Sequence, residues 1–276
     1  MSAAIRTLLA TSSWQLATGM LVGLPVVALS LISVQQEVEL GRQAQQQVRK
    51  EVPQLQDRAV ADYVAGLGRT LASRAKGPRY PYSFSVANYR EINAFALPGG
   101  PVWVHRGAMQ AATTESQLAG VLAHEIAHIS QRHAADQITK ALVANGLLGL
   151  LGAVLGNDGG ARAAQVGARI LAGGYMLKFS RDDEREADAV GADLMRRAGW
   201  DPRGMIEFME TLRREQGRNP GRVQVFLSSH PAPAERAKRL RSTLRGKAGG
   251  RRDSAAFQRI RSRLQSLPPA KSMAGR

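Results

Sequence analysis

The 276-residue sequence contains no cysteine, which excludes disulfide bonds and thiolate metal ligands. For the same reason we expect no lipid anchor of the kind that is attached to an N-terminal cysteine. Aromatic residues make up 5% of the chain, and acidic residues are scarce, with 22 Asp and Glu against 38 Lys and Arg. The length still allows one substantial domain with a well-buried core.

Positive charge is concentrated at the C-terminal end of the sequence. Residues 235–276 contain 13 Lys or Arg and two acidic residues. Such a segment can bind nucleic acid or anionic lipid headgroups, but no aromatic-interleaved nucleic-acid motif accompanies it. We interpret residues 246–276 as a solvated basic tail. Weak contact with an anionic membrane surface stays open, and nucleic acid is not expected as a partner.

Charge is almost missing from the first 36 residues, where Arg6 is the single charged side chain. Residues 16–34 are mostly apolar, and Ala-Leu-Ser at 28–30 offers the small-x-small pattern of a cleavage site. We expect residues 1–36 to be a signal peptide or an N-terminal anchor, and either would direct the rest of the chain across a membrane. A buried helix of a soluble domain is the third interpretation.

The pattern of apolar residues predicts an α+β domain, mainly helical, over residues 37–245. Residues 82–88 alternate like a strand, and Pro98-Gly99-Gly100 predicts a turn between strands at 93–97 and 102–105, which together form a small antiparallel sheet. The helices are expected at 37–50, 54–76, 116–132, 161–174, 181–198, 202–217 and 233–245.

Three of the five histidines lie in the stretch VLAHEIAHISQRH, residues 121–133. Residues four apart on a helix point the same way, so His124 and His128 can bind one metal ion. His133 is five residues beyond His128 and cannot join them while the helix continues. Glu125 can then accept a proton from a water on the metal, as the HExxH motif requires. The alternative is an ordinary amphipathic helix with half-buried histidines.

A catalytic zinc ion needs a third protein ligand and an open position. The acidic stretch SRDDEREAD at 180–188 supplies candidates on a second predicted helix. Glu184 and Asp188 are four residues apart and share one face, whereas Glu186 points away from the side of Glu184. The small residue Gly191 allows this helix to pack closely on the first. The alternative interpretation is a solvated helix N-terminus stabilised by the helix dipole.

The motifs HEIAH and SRDDEREAD resemble those of the zinc metallopeptidase family that includes the CAAX prenyl proteases, HtpX, BepA and LoiP. The resemblance extends over roughly residues 40–245 and includes NAFALPGG and SSHPAPAERAKRL. It implies a zincin-like (gluzincin) protease domain with one Zn²⁺ per chain. Within the family, the sequence is most similar to the compact exported BepA and LoiP type, without helical repeats.

The resemblance also implies roles for individual residues. The zinc ligands correspond to His124, His128 and Glu184, and the general base corresponds to Glu125. Asp188 corresponds to a catalytic acid or proton donor outside the ligand set. His230, in SSHPAP, corresponds to a histidine that approaches the metal or the oxyanion. It would either stabilise the tetrahedral intermediate or occupy the open zinc position as an inhibitor.

Two further segments are candidates for contacts outside the metal centre. Residues Asn93, Ala94, Phe95 and Ala96 fit an edge strand with which an extended substrate can pair its backbone. The segment 141–156 is more hydrophobic than a surface loop should be. It is interpreted as buried core, as a plug over the active site, or as a hairpin that dips into the membrane.

The predicted function is a zinc endopeptidase that cuts unfolded or misassembled proteins in the periplasm or on the periplasmic side of a membrane. The first alternative is a chaperone-like binding protein whose protease site is held inactive by His230. The second is a basic-tailed membrane or nucleic-acid adaptor with a structural metal. Glu125 argues against the adaptor, because a closed structural site has no use for a general base.

Overall fold

The computed structural model describes residues 32–144, 178–246 and 249–273. Residues 1–31 of the signal or anchor predicted at 1–36, the predicted helix at 161–174 and most of the segment 141–156 lie outside the described residues. None of the described helices is both long and apolar enough to cross a membrane. The elements, in chain order, are α1 (Val34–Glu51), α2 (Arg58–Ala72), β1 (Ser83–Ala87), β2 (Ala94–Ala96), β3 (Pro101–His105), α3 (Arg106–Ala111), α4 (Glu115–Ser130), α5 (His133–Ala144), α6 (Arg181–Arg197), α7 (Arg203–Arg218), α8 (Pro220–Ser229), α9 (Pro233–Thr243) and α10 (Ala255–Ser266).

The three strands form one sheet in the order β1-β3-β2. The predicted turn joins β2 to β3, which pair antiparallel, and its Gly99 has a φ of +71° that side chains with a Cβ rarely adopt. The mainly helical α+β class is as predicted, but the sheet is mixed and not antiparallel throughout, because β1 pairs parallel to β3. Apolar alternation identifies a strand without encoding the direction of its partner, so the sequence pattern could not show this difference.

Helix α4 lies at the centre of the domain, and each of its residues is buried. Helix α6 packs closely on it, since a Cβ on Gly191 would lie 3.2 Å from the carbonyl oxygen of Ala123. Helix α7 is equally close, because a Cβ on Gly120 would lie 2.9 Å from the Cα of Met205. These small residues therefore let α6 and α7 bring their side chains up to the histidines of α4.

The basic segment 246–276 differs from its predicted form, because its described part, 249–273, packs on the domain. Phe257 and Leu264 of α10 are fully buried, and the buried Arg106 donates hydrogen bonds to the carbonyls of Leu264 and Leu267. The solvated tail was thus a wrong expectation for these residues. In the sequence of α10, apolar residues recur at helical spacing between the arginines. This apolar face is buried by packing against the core of the domain.

Candidate metal centre

The two histidines of the HExxH motif lie one turn apart on the same face of α4. Both are buried, and their Nε2 atoms are 3.0 Å apart. The opposite face of the helix, which includes Leu122, Ile126 and Ile129, is also buried. The apolar packing therefore fixes the rotation of α4 and, with it, the direction of both imidazoles.

Helix α6 brings a carboxylate to these histidines. Ser180 caps its N-terminus in a reciprocal capping box with Asp183, which fixes where the helix begins. Glu184 follows in the first turn, with Oε1 3.3 Å from His128 Nε2 and Oε2 3.5 Å from His124 Nε2. Glu186 lies on the other side of the helix with its side chain 55% exposed. The structure thus places Glu184, and not Glu186, beside the histidines.

His230 completes the cluster from a third element. It is the C-cap of α8, and its Nδ1 lies 2.8 Å from Glu184 Oε1 and 3.3 Å from His124 Nε2. One ligand atom from each of His124, His128, Glu184 and His230 lies within 4.8 Å of the others. Bonds of about 2.0–2.1 Å to a tetrahedral zinc ion separate its ligand atoms by about 3.3 Å, so donor set and spacing fit zinc.

Glu125 is buried to 1% exposure beside this cluster. Neither oxygen of its carboxylate accepts a hydrogen bond from any residue that the structure describes, and His230 Nε2 lies 3.6 Å from Oε1. A buried carboxylate without hydrogen bonds is costly to the fold. Its position next to the ligand atoms suits a group that exchanges a proton with a molecule bound at the centre.

Asp188 lies one turn after Glu184 on α6 and contacts the ring of His124 at the nitrogen that faces away from the ligand atoms. Its Oδ1 lies 3.1 Å from His124 Nδ1, which turns the Nε2 of that ring towards the ligand atoms. Without a metal, burial and the charge of Arg236 lower the pKa of His124, but Glu184 and Asp188 outweigh them and raise it to about 9. A metal ion that bound near neutral pH would therefore displace a proton from His124.

Arg236 is a site residue that the sequence patterns did not reveal. This buried side chain of α9 donates from Nε to Asp188 Oδ2 at 2.8 Å and from Nη2 to Oδ1 at 2.6 Å. It also forms an ion pair with Glu184. Burial alone would raise the pKa of Asp188, but the guanidinium holds it below its usual value. In the sequence Arg236 stands among many basic residues, so nothing distinguishes it from solvated neighbours.

Two more side chains contact His128 from outside the cluster. The Nδ1 of His133 lies 2.8 Å from the Nδ1 of His128, and the ring of Phe179 stacks on that of His128 with centroids 3.8 Å apart. His133 is absent from the ligand group, as the helix geometry predicts. Helix α4 ends at Ser130, however, and the chain then reverses, so that His133 contacts His128. A helix that continued past Ser130 would not allow this contact, and the sequence therefore did not predict it.

The residues proposed to bind substrate lie at the edge of the sheet. Hydrogen bonds between Leu97 and Pro101 and between His105 and Asn93 flank the β2–β3 ladder. The pattern of an antiparallel pair then directs the backbone N–H and C=O groups of Ala94 and Ala96 to the side of β2 that faces away from β3. Ala96 also lines a cleft together with His128 and Phe179. Ala96 is partly exposed, whereas Asn93, Ala94 and Phe95 are buried, so within this strand Ala96 is the residue accessible to a substrate backbone.

Two histidines and a glutamate from two packed helices, with a second glutamate beside them, define a metallopeptidase of the HExxH class. Comparison with known proteins agrees with this geometry, because the profile of peptidase family M48 matches residues 58–244. The chain belongs to this family and is a metalloendopeptidase.

Individual relatives carry the same activity in their names. The chain is 35% identical over 212 residues to the beta-barrel assembly-enhancing protease of Escherichia coli, which covers 75% of this chain and 43% of that protein. It is 34% identical over 175 residues to the mitochondrial metalloendopeptidase OMA1 of Schizosaccharomyces pombe, covering 63% and 50%. The metalloprotease YcaL of Escherichia coli is 29% identical over 181 residues, covering 66% and 68%. The chain thus spans less than half the length of the assembly-enhancing protease.

Proposed function

We propose that the protein is a zinc-dependent endopeptidase that cleaves unfolded or misassembled proteins of the cell envelope. The observation that carries this proposal is the convergence of His124, His128 and Glu184 on one point beside the carboxylate of Glu125. Bound zinc would lower the pKa of a coordinated water towards 7. Glu125 is the base that would accept the proton, and Asp188 holds His124 in the orientation that binding requires.

The surroundings of the centre favour an extended substrate. The outer edge of β2 is partly exposed at Ala96, where it can pair with an extended backbone, and a folded protein rarely offers such a segment. A narrow cavity next to Glu125 is lined mainly by apolar side chains, including Met205, Phe208 and Met209. Apolar side chains are buried in folded proteins and exposed in unfolded ones, so both features support unfolded substrates.

The location of the protein is part of the proposal. Arg6, the apolar residues 16–34 and the absence of acidic residues before Glu37 support export to the periplasm, or attachment on the periplasmic side of a membrane. The name of the Escherichia coli relative refers to β-barrel assembly, which supports misassembled envelope proteins as substrates. An alkaline phosphatase fused after residue 50 should be active, whereas activity of a cytoplasmic reporter at that position would contradict export.

Contact with an anionic membrane surface is a weaker part of the same proposal. Among the described basic residues near the C-terminus, Lys238, Arg245 and Arg259 are exposed. Others are neutralised by acidic partners, for example Arg263 by Asp57 at 2.8 Å. Binding of the purified chain to anionic vesicles, compared with zwitterionic ones, tests this contact. The segment 141–156, the other proposed contact, needs a separate deletion variant.

A second candidate function is a chaperone-like binding protein whose protease site is held inactive. One observation favours it: His230 Nδ1 lies among the ligand atoms, 2.8 Å from Glu184 Oε1. A structural zinc ion has four protein ligands, whereas a catalytic one leaves a position open. With His230 as the fourth ligand, the centre would be closed at rest, while the edge strand stays able to bind an extended chain.

Zinc content and casein cleavage test the proposed endopeptidase. We expect one zinc per chain in the wild type and in Glu125→Gln, and cleavage in the wild type alone, because the substitution removes the base but no ligand. Glu39→Gln, on an exposed side chain of α1, is the matched control and should cleave casein normally. A wild type that binds no zinc, or equal cleavage by Glu125→Gln, would refute the proposal. Preference for casein over a stably folded protein tests the substrate class.

A further inference from the structure

The chain reversal after α4 places His133 directly against one of the histidines of the cluster. Arg132 has a φ of +63°, and its side chain is held by Glu37, at 2.8 Å, and by the carbonyl of Ile32. Helix α5 begins at the next residue. As a result His133 is buried to 2% exposure, and its ring stands at 74° to that of His128 with centroids 4.9 Å apart.

The two facing nitrogens, Nδ1 of His128 and Nδ1 of His133, are 2.8 Å apart. At this distance one of them carries a proton and the other accepts it, since two protonated or two bare nitrogens would repel each other. The proposed zinc site decides which, and the inference rests on that site. His128 Nε2 faces the ligand atoms and must be unprotonated to bind a metal, so the proton of His128 lies on Nδ1 and is donated to His133.

The other ring nitrogen of His133 has a partner on α6. Because its Nδ1 accepts, a neutral His133 carries its own proton on Nε2. That atom lies 3.4 Å from Oε2 of Glu186, the acidic residue of α6 that points away from the ligand cluster. The order of donors is therefore His128 to His133 to Glu186. It connects the metal centre to a carboxylate that is 55% exposed at the surface.

We propose that His133 is the positioning residue of His128, with Glu186 as its outer partner. Its imidazole accepts the hydrogen bond that holds His128 in the tautomer and ring orientation needed for metal binding. His124 receives the corresponding support from a carboxylate, Asp188 Oδ1 at 3.1 Å. The two ligand histidines thus have partners of different chemistry, and each partner fixes one ring.

A pair of nearly isosteric variants tests this role. Asn at position 133 can present a carbonyl oxygen near the place of the imidazole Nδ1, whereas Leu has the same shape and no acceptor. In the full chain, His133→Leu should raise the zinc dissociation constant by about 10–100-fold, the usual effect of losing such a partner. His133→Asn should stay within a few fold of the wild type. Competition with a chromophoric chelator measures the constants, and circular dichroism checks that both variants fold.

Three further readouts separate positioning from general packing. Nitrogen-15 spectra of the zinc-loaded chain should show a protected Nδ1–H on His128 in the wild type and in His133→Asn, and not in His133→Leu. Glu186→Ala changes an exposed side chain and should weaken zinc binding by less than about tenfold, because its contact is long. Asp182→Ala, on a side chain of α6 that is 79% exposed, is the control and should change nothing.

Several results would overturn the inference. An unchanged zinc constant in His133→Leu would show that His128 needs no partner at Nδ1. Equal losses in the Leu and Asn variants would assign the effect to packing. A wild type that binds no zinc would refute the proposed function itself, whereas a zinc-binding wild type with an indifferent position 133 would refute this inference alone.

Discussion

Replacement of Arg236 by Met should destabilise the domain far more than the replacement of an exposed arginine. The side chain is 6% exposed and donates to both oxygens of Asp188 at 2.6 and 2.8 Å. Its removal leaves Asp188 and Glu184 as buried carboxylates without their guanidinium partner, and breaking a buried pair in this way costs about 3–5 kcal/mol. Arg239→Met is the matched control on the same helix, since its ion pair with Glu235 is exposed, and it should cost less than about 0.5 kcal/mol.

Urea unfolding of the chelator-treated protein gives both free energies. The deficit of Arg236→Met should also depend on pH. In the wild type, the low pKa of Asp188 stabilises the fold above the pKa of an unfolded aspartate, about 3.9, and this stabilisation is lost as the pH falls. In the variant, loss of the guanidinium raises the pKa of Asp188 relative to the wild type, so protonation relieves the buried charge sooner. The deficit should therefore narrow between pH 7 and pH 4, and a deficit that matches Arg239→Met at pH 7 would refute this account.

Other predictions concern metal binding and the effect of His230 on cleavage. Glu184→Ala should lose most of its zinc and Glu186→Ala should keep it at saturating concentrations. Zinc loss in the second variant would instead identify Glu186 as the ligand. His230→Ala should raise basal casein cleavage with zinc retained, because it frees the fourth position. A fall of about 10²–10³-fold would instead assign His230 to the oxyanion, and unchanged activity would contradict both roles. Since the pKa of His124 is raised to about 9, zinc affinity should fall about tenfold for each pH unit from 8 to 6 as a proton competes for this ring. An affinity that does not change over this range would contradict that assignment.

The local chemistry of the centre could be predicted because it depends on short spacings. A separation of four residues places His124 above His128 on any α-helix, and the same spacing pairs Glu184 with Asp188 on α6. The exclusion of Glu186 follows from the same periodicity. These predictions require only that each segment be helical, and the apolar pattern and the Ser180 cap show that locally.

Helices α3, α5, α8 and α10 were not predicted, although the sequences of α8 and α10 contain usable signals. Pro220 is compatible with a first helical turn, but the polar SSHPAP stretch near the end of the segment favours a loop. In α10, Ser254 is an N-cap, and Phe257, Ile260 and Leu264 repeat at helical spacing. The thirteen basic residues of the C-terminal region obscured this stripe. Net charge describes a surface and says little about whether a segment folds.

The sequence by itself determined the class of the protein, the two-helix arrangement of its candidate ligands and the base beside them, because periodicity within one helix is a local property. Tertiary structure alone decided which distant residues meet that cluster. Arg236 reaches it through the packing of α9, and His230, which the resemblance places near the metal, reaches it through the end of α8. His133 is close to His128 in the sequence, but it meets that ring because the chain reverses at Arg132. Each of these contacts depends on how separate elements cross, and their crossing is set by the packing of their apolar faces. No residue spacing within a single helix encodes that packing.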